Sequence, residues 1–226
     1  MSLVLAEGVH VVGPGTLTVP RVNLSIGGKE QEEGKEKEKV VISGCLKVES
    51  TWRYFPRTGC MQTSVKFICL TDVTVKDTIG DEFHAGLHAS GAGTKMILKN
   101  VKVENCQNNG VYVWRGATLD ATGCHFHQNG GIGVHVFGST TTARLTNCTS
   151  HDNKSDGVIA YDGAVVDLMG EGTSVHDNEG HGLSASDRGT INVYQPCVLN
   201  DMSHGNKRQN IRELNGGIVQ QKDSKK

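Results

Sequence analysis

The segments Gly86-Leu87-His88-Ala89, Gly110-Val111-Tyr112-Val113, Gly133-Val134-His135-Val136, Gly157-Val158-Ile159-Ala160 and Gly182-Leu183-Ser184-Ala185 decide the fold. Their opening glycines follow one another at steps of 24, 23, 24 and 25 residues. Other columns keep the same period. Nine residues before the later glycines stand Val101, Cys124, Cys148 and Thr173, and Cys197 continues that column. Two residues further on come Val103, Phe126, Ser150, Val175 and Leu199, and four before the glycines come Cys106, Asn129, Asn153 and Asn178. A period of this length, kept in several columns at once, is the signature of a solenoid.

Apolar residues alternate within each segment, as in a strand with one buried face. Leu87 and Ala89, Val111 and Val113, Val134 and Val136, Val158 and Ala160, and Leu183 and Ala185 share one side. Runs of four or five residues are too short for helices. A second short strand follows at Thr118–Ala121, Ala143–Thr146, Val165–Leu168 and Thr190–Val193, and a third carries the cysteine and valine columns. Three short strands and three turns per repeat make one rung of an all-β parallel solenoid, each rung burying the inner face of its neighbours. Upstream the period is looser, but Val9–Val11, Val22–Ile26, Val40–Ser43, Leu46–Val48, Val65–Phe67 and Val73–Val75 still read as strands. The expected organisation is one β-helix domain over residues 1–206. It has irregular rungs before residue 86, loop insertions at 29–39 and 51–63, and a cap with a polar tail at 207–226. Eight or nine rungs at about 4.8 Å each would make a rod roughly 40 Å long.

The Gly-Val-x-Val runs, the Asn147-Cys148 segment and the asparagine column resemble the right-handed parallel β-helix repeat family, which shares the pectin-lyase-like fold. The resemblance covers Gly86 to about Asn210 and implies right-handed coiling with an asparagine ladder inside one turn. Such a ladder pairs turn backbone groups that no sheet hydrogen bond reaches. Cys106 departs from the column, which puts the ladder's start at Asn129.

Composition narrows the function. The chain has 226 residues, with 36% hydrophobic, 5% aromatic, 29 glycines and 4 prolines, and a net charge of −1. A near-neutral chain has no basic field for nucleic acid or acidic lipid, and no apolar run reaches the roughly 18 residues of a membrane helix. Met1 to Glu7 has no basic n-region, so no signal peptide is expected. Seven cysteines without a CxxC pair are expected as free thiols of a reducing, cytoplasmic compartment. Cys124 and Cys148 are expected as buried fillers. Sequons occur at Asn23, Asn147 and Asn153, and the last two fall on structural positions of the repeat.

If the Leu87–Val111 column faces inward, the outward columns are His88, Tyr112, His135, Ile159, Ser184 and Ser90, Trp114, Phe137, Tyr161, Ser186. Four of the chain's 11 aromatic residues then share one face. Exposed aromatic surface marks contact sites, and stacked rings offer platforms to sugar faces. His88, Tyr112, Trp114, His135, Phe137 and Tyr161 are therefore the candidate ligand-binding residues, with cross-strand packing the structural alternative. Trp52, Tyr54 and Arg57 in the insertion are the reserve set.

Polysaccharide lyases and epimerases of the resembled superfamily use acids that bind calcium or neutralise a uronate, with a Lys, Arg, His or Tyr base. Charges fringe the aromatic face here: Arg115, Asp156, Asp162, Asp187, Arg188, and Asp81, Glu82 and His84 before the first clear rung. The family motifs R-x-P-x-x-R and D-P-H-D/E are absent. Gly180-His181-Gly182 copies a polygalacturonase GHG without its aspartates, on a glycine the repeat already requires. Arg115, His135, Asp156 and Asp162 are the catalytic candidates. A second constellation, His127, His151 and His176 with Glu104, Asp152 and Asp177 nearby, has metal-ligand chemistry at repeat spacing. Repetition of a tolerated surface residue explains it equally, and no cofactor or metal is called for. The expected function is a non-catalytic binding or scaffold β-helix presenting its aromatic face to a carbohydrate or protein. The alternative is a carbohydrate-active lyase, epimerase or hydrolase using the same face, and a spacer within a longer protein is a third possibility.

Overall fold

The computed structural model describes residues 66–78 and 85–224, together with the strands Val9–Val19, Leu24–Gly27, Val40–Glu49, Trp52–Phe55 and Cys60–Thr63. Each repeat lays one strand on each of three faces. The first face stacks Leu87–Ser90, Val111–Trp114, Val134–Phe137, Val158–Tyr161, Leu183–Ser186 and Ile211–Leu214, all parallel. The second stacks Lys66–Thr71, Thr94–Lys99, Thr118–Thr122, Thr142–Thr146, Val165–Met169, Thr190–Tyr194 and Ile218–Lys222. The third carries Val73–Lys76, Lys102–Glu104, His125–His127, Thr149–His151, Ser174–His176 and Ser203–His204. The strand Val40–Glu49 serves two faces, pairing through Val40–Ser43 with Val73–Lys76 and through Leu46–Glu49 with Leu87–Ser90.

Six turns thus follow one another from Leu87 to Lys222, fewer than the eight or nine rungs expected, because the upstream strands join the sheets less regularly. The expected cap is itself a turn: Ile211–Leu214 and Ile218–Lys222 extend two of the sheets. Of the two insertions, 51–63 contains Trp52–Phe55 paired antiparallel with Cys60–Thr63, and 29–39 lies outside the described residues. A four-residue helix, Leu199–Met202, interrupts the fifth turn. Among the described residues no helix is long and apolar enough to cross a membrane.

The alternation sorts the side chains as the sequence predicts. Leu87, Ala89, Val111, Val113, Val134, Val136, Val158, Ala160, Leu183 and Ala185 are all 0% exposed. Phe126, Leu119 and Leu168 fill the interior from the other faces, and Cys106, Cys124, Cys148 and Cys197 are buried free thiols. The hydrogen bond that the Cys124 thiol donates to Cys148, with burial, pushes the Cys124 thiol up.

Single left-handed residues turn the corners. After the third-face strands Asn105, Gln128, Asp152 and Asp177 hold φ near +54°, and Asn100 and Asn147 do so after the second face. Short polar side chains tolerate that conformation, which explains the recurring Asn and Asp without any ligand. The repeat glycine has another cause: a Cβ on Gly133 would stand 2.7 Å from the Gly157 carbonyl and 2.8 Å from Asn153 Nδ2. Asn153 belongs to the ladder that the resemblance implied. Asn129 Nδ2 donates to Asn153 Oδ1 (3.0 Å), Asn153 to Asn178 (2.9 Å), and Asn178 to Asn206 (2.9 Å). Above them, Cys106 takes part only through its backbone N–H, which donates to Asn129 Oδ1 at 3.2 Å.

Candidate functional site

Outward residues of the first face meet across rungs because the strands stack in register. Tyr112 pairs with His88 and His135, and Trp114 with Ser90 and Phe137. Ring centroids lie 5.0 Å apart for Tyr112 and His135 and 5.4 Å for Phe137 and Tyr161, the latter pair nearly parallel at 15°. Within one strand Tyr112 stacks on Trp114 at 5.8 Å. All six candidate ligand-binding residues therefore form one continuous surface. They are not equally open. His88 is 2% and Tyr112 7% exposed, Trp114, His135 and Phe137 are half-buried, and Tyr161 is 37% exposed. The rings cover one another, so orientation away from the core does not guarantee exposure.

Trp114 also has a fixed structural partner, since its indole N–H donates to His88 Nε2 at 2.7 Å. Truncating it leaves a buried imidazole nitrogen unpaired, which costs about 1–3 kcal/mol. Burial draws the His135 imidazole down to about 4, against the opposing pull of Asp156, so His135 is neutral at physiological pH. Asp187 accepts from Tyr161 and holds that phenol above its ordinary range.

Beside these rings the surface sinks into a groove of about 650 Å³. The aromatics wall one end, Ser184 and Ser186 belong to its middle, and Arg212 and Leu214 of the last turn stand at the other end. Arg212 and Leu214 escaped the sequence reading because the glycine that announces each first-face strand is replaced by Asn210 before Ile211. The asparagine column carried the missing signal: Asn206, four residues before Asn210, continues the ladder and marks a further strand.

The catalytic candidates divide: Asp156 is near enough to act on the His135 imidazole, whereas Arg115 and Asp162 stand at the other edge. Asp156 precedes the strand Val158–Tyr161 and Asp162 follows it, so about 20 Å of extended chain separates them. At the first of these edges the Asp156 carboxylate accepts from the His181 backbone N–H (2.6 Å) and lies 3.1 Å from His181 Nδ1, with both residues under 10% exposed. His181 of the GHG segment is thus a buried partner of Asp156. At the opposite edge Arg115 lies 3.8 Å over the Trp114 ring, and Asp162 pairs with Arg188 at 3.7 Å. Asp81, Glu82 and His84 lie outside the described residues.

The histidine column continues to His204. Successive imidazoles of His127, His151, His176 and His204 stack at 5.0, 4.9 and 5.1 Å, within 6° of parallel. Nitrogen lone pairs lie in the ring planes, so parallel rings aim them alongside one another. Two nitrogens bound to one zinc at about 2.0–2.1 Å stand at most about 4.2 Å apart, so parallel rings with centroids about 5 Å apart would have to tilt or shift toward each other to share one. His151 and His176 moreover engage Asp152 and Asp177 through Nδ1 at 2.8 Å, and His127 engages Glu104 at 3.1 Å. Burial pulls the His127 imidazole below its ordinary value. Among the described residues no three His, Cys, Asp or Glu converge on a metal position. Zinc titration by calorimetry is expected to give no stoichiometric binding and no rise in melting temperature. Micromolar binding abolished by His151→Ala would overturn this.

Three sheets of parallel strands stacked around a sealed core define a parallel β-helix. The family model described as "Right handed beta helix region" matches residues 58–219, and the chain belongs to that family. No curated protein matches the sequence. Among solved structures, a pectate lyase is 13% identical with a TM-score of 0.38, covering 98% of this chain and 71% of its own. A mutant of the periplasmic alginate epimerase AlgG is 10% identical with a TM-score of 0.34, covering 98% and 85%. The Streptococcus pneumoniae surface protein and adhesin PfbA is 8% identical with a TM-score of 0.20, covering 99% and 91%.

Proposed function

We propose that this β-helix is a non-catalytic carbohydrate-binding module whose ligand lies along the first-face groove. The observation that carries the reading is the groove itself, walled at one end by stacked rings and lined beyond them by Ser184, Ser186 and Arg212. Ring faces bind the apolar faces of sugars, and a few convergent polar groups supply orientation. The separation of Asp156 from Arg115 and Asp162 supports binding over lyase or epimerase chemistry, which needs an acid and a base within hydrogen-bond reach of one reacting atom.

The clean test is Tyr161→Ala, because Tyr161 is the most exposed ring of the platform and leaves no sealed void behind. On a glycan array this variant should lose about 2 kcal/mol of affinity, roughly 30-fold, for any sugar the parent retains. Its melting temperature should stay within a few degrees. Unchanged glycan binding by the variant would make the rings structural. An array without signal, together with a protein ligand whose binding Tyr161→Ala abolishes, would assign the groove to a protein. Release of unsaturated uronate, read by absorbance, would instead restore the enzyme reading.

A further inference from the structure

The middle and far end of the groove hold two groups whose chemistry is unanswered among the described residues. Ser184 is 1% exposed, yet its hydroxyl has no hydrogen-bond partner among the described residues. A buried polar atom left unpaired is uncommon in a folded protein and calls for a reason. In the adjacent strand the residue in register with Ser184 is Arg212, which has no ion-pair partner among the described residues. The neighbouring acid does not answer it. Asp187 is engaged by Asn215 Nδ2 at 2.9 Å and by the Tyr161 phenol. A hydroxyl donor and a guanidinium therefore stand one rung apart beside a groove whose opposite wall is aromatic.

We infer that Ser184 and Arg212 form a subsite for an oxyanion, a carboxylate or a sulfate ester, carried by a ring ligand that stacks on Phe137 and Tyr161. The inference rests on the carbohydrate reading of the groove and adds the charge of its ligand. Arg212 supplies a planar fork suited to two anionic oxygens, and Ser184 donates its unused hydroxyl. From Tyr161 to Arg212 is two rungs and two residues along the strand, about 12 Å, so the anion belongs to a part of the ligand beyond the stacked ring. A neutral ligand would leave both groups unpaired on binding, which is how a polar site rejects the wrong partner.

The experiment titrates gluco-configured tetrasaccharides of three kinds, neutral, carboxylated at C6 and sulfated at O6, into the parent, Arg212→Gln and Ser184→Ala. The parent should bind at least one acidic form about tenfold more tightly than the neutral one, and the preferred acid identifies the oxyanion. In Arg212→Gln that ratio should fall to near one, and in Ser184→Ala it should fall several-fold. The parent's preference should also shrink between about 0.05 and 0.5 M salt, as screening requires. Equal affinity for neutral and acidic forms in the parent, or a preference that survives Arg212→Gln, overturns the subsite while leaving the groove a sugar site. Absence of binding by every tetrasaccharide overturns the groove reading, and the subsite falls with it.

Discussion

Val134→Asp and Val158→Asp should each lower the melting temperature by roughly 6–20 °C and unfold several turns together. Both valines are 0% exposed and face each other across adjacent rungs. A carboxylate at either point replaces a core side chain with a buried charge, and stranding it unpaired costs about 3–5 kcal/mol. At roughly 2–4 °C per kcal/mol for a chain of this size, the shift follows. The loss should spread, because each rung's inner face is covered only by its neighbours. Circular dichroism against temperature checks this, with Val134→Ala separating the effect of lost volume from that of charge. A shift of only a few degrees for both aspartates would mean that the coil admits water at these positions.

Glycine and valine columns made the coil legible, because each rung repeats one local solution: a strand with its inner residues sealed, then a corner needing a left-handed residue. Legibility failed where the physical demand changes. In the turn at 211–222 the outward columns carry Leu214 and Ile218, in register with Ser186 and Thr190 and 43% and 46% exposed, and the local composition turns polar as in a tail. Arg212 was lost with that turn. In the outer columns, direction was readable but exposure was not, since mutual cover among His88, Tyr112 and Trp114 depends on ring sizes rather than on strand period. Asp156 was read as a fringe charge. Its burial depends on His181, which lies 25 residues away and meets it only through the stacking of rungs. The histidines and their neighbouring acids suggested a metal by composition, whereas strand register makes the imidazoles parallel and corner geometry selects the acids.

Asn153→Asp should destabilise the protein by about 3–5 kcal/mol at pH 7.5 and by clearly less at pH 4.5, although it exchanges only an amide for a carboxyl. Asn153 is 0% exposed and uses both ends of its side chain. Its oxygen accepts from Asn129 Nδ2 at 3.0 Å and from the Asn129 backbone at 3.1 Å, and a carboxylate can still do so. Its Nδ2 donates to Asn178 Oδ1 at 2.9 Å and to the Phe126 carbonyl at 3.0 Å. In the aspartate an anionic oxygen would face those two acceptors, so repulsion adds to lost hydrogen bonds. Burial and facing acceptors both favour the neutral acid, placing the folded-state pKa of this residue above the ordinary value of about 3.9. Between those two values the folded variant binds more protons than the unfolded chain, and its stability must fall as pH rises. At the acid end the protonated carboxyl regains one donor, which can serve Asn178 Oδ1. The measurement is the melting-temperature difference between variant and parent at the two pH values, which removes the parent's own pH dependence. A gap equal at both, or below about 3 °C, would mean that the ladder adjusts around the substitution. A gap that widens toward neutral pH is the signature of a ladder in which every amide hydrogen is committed.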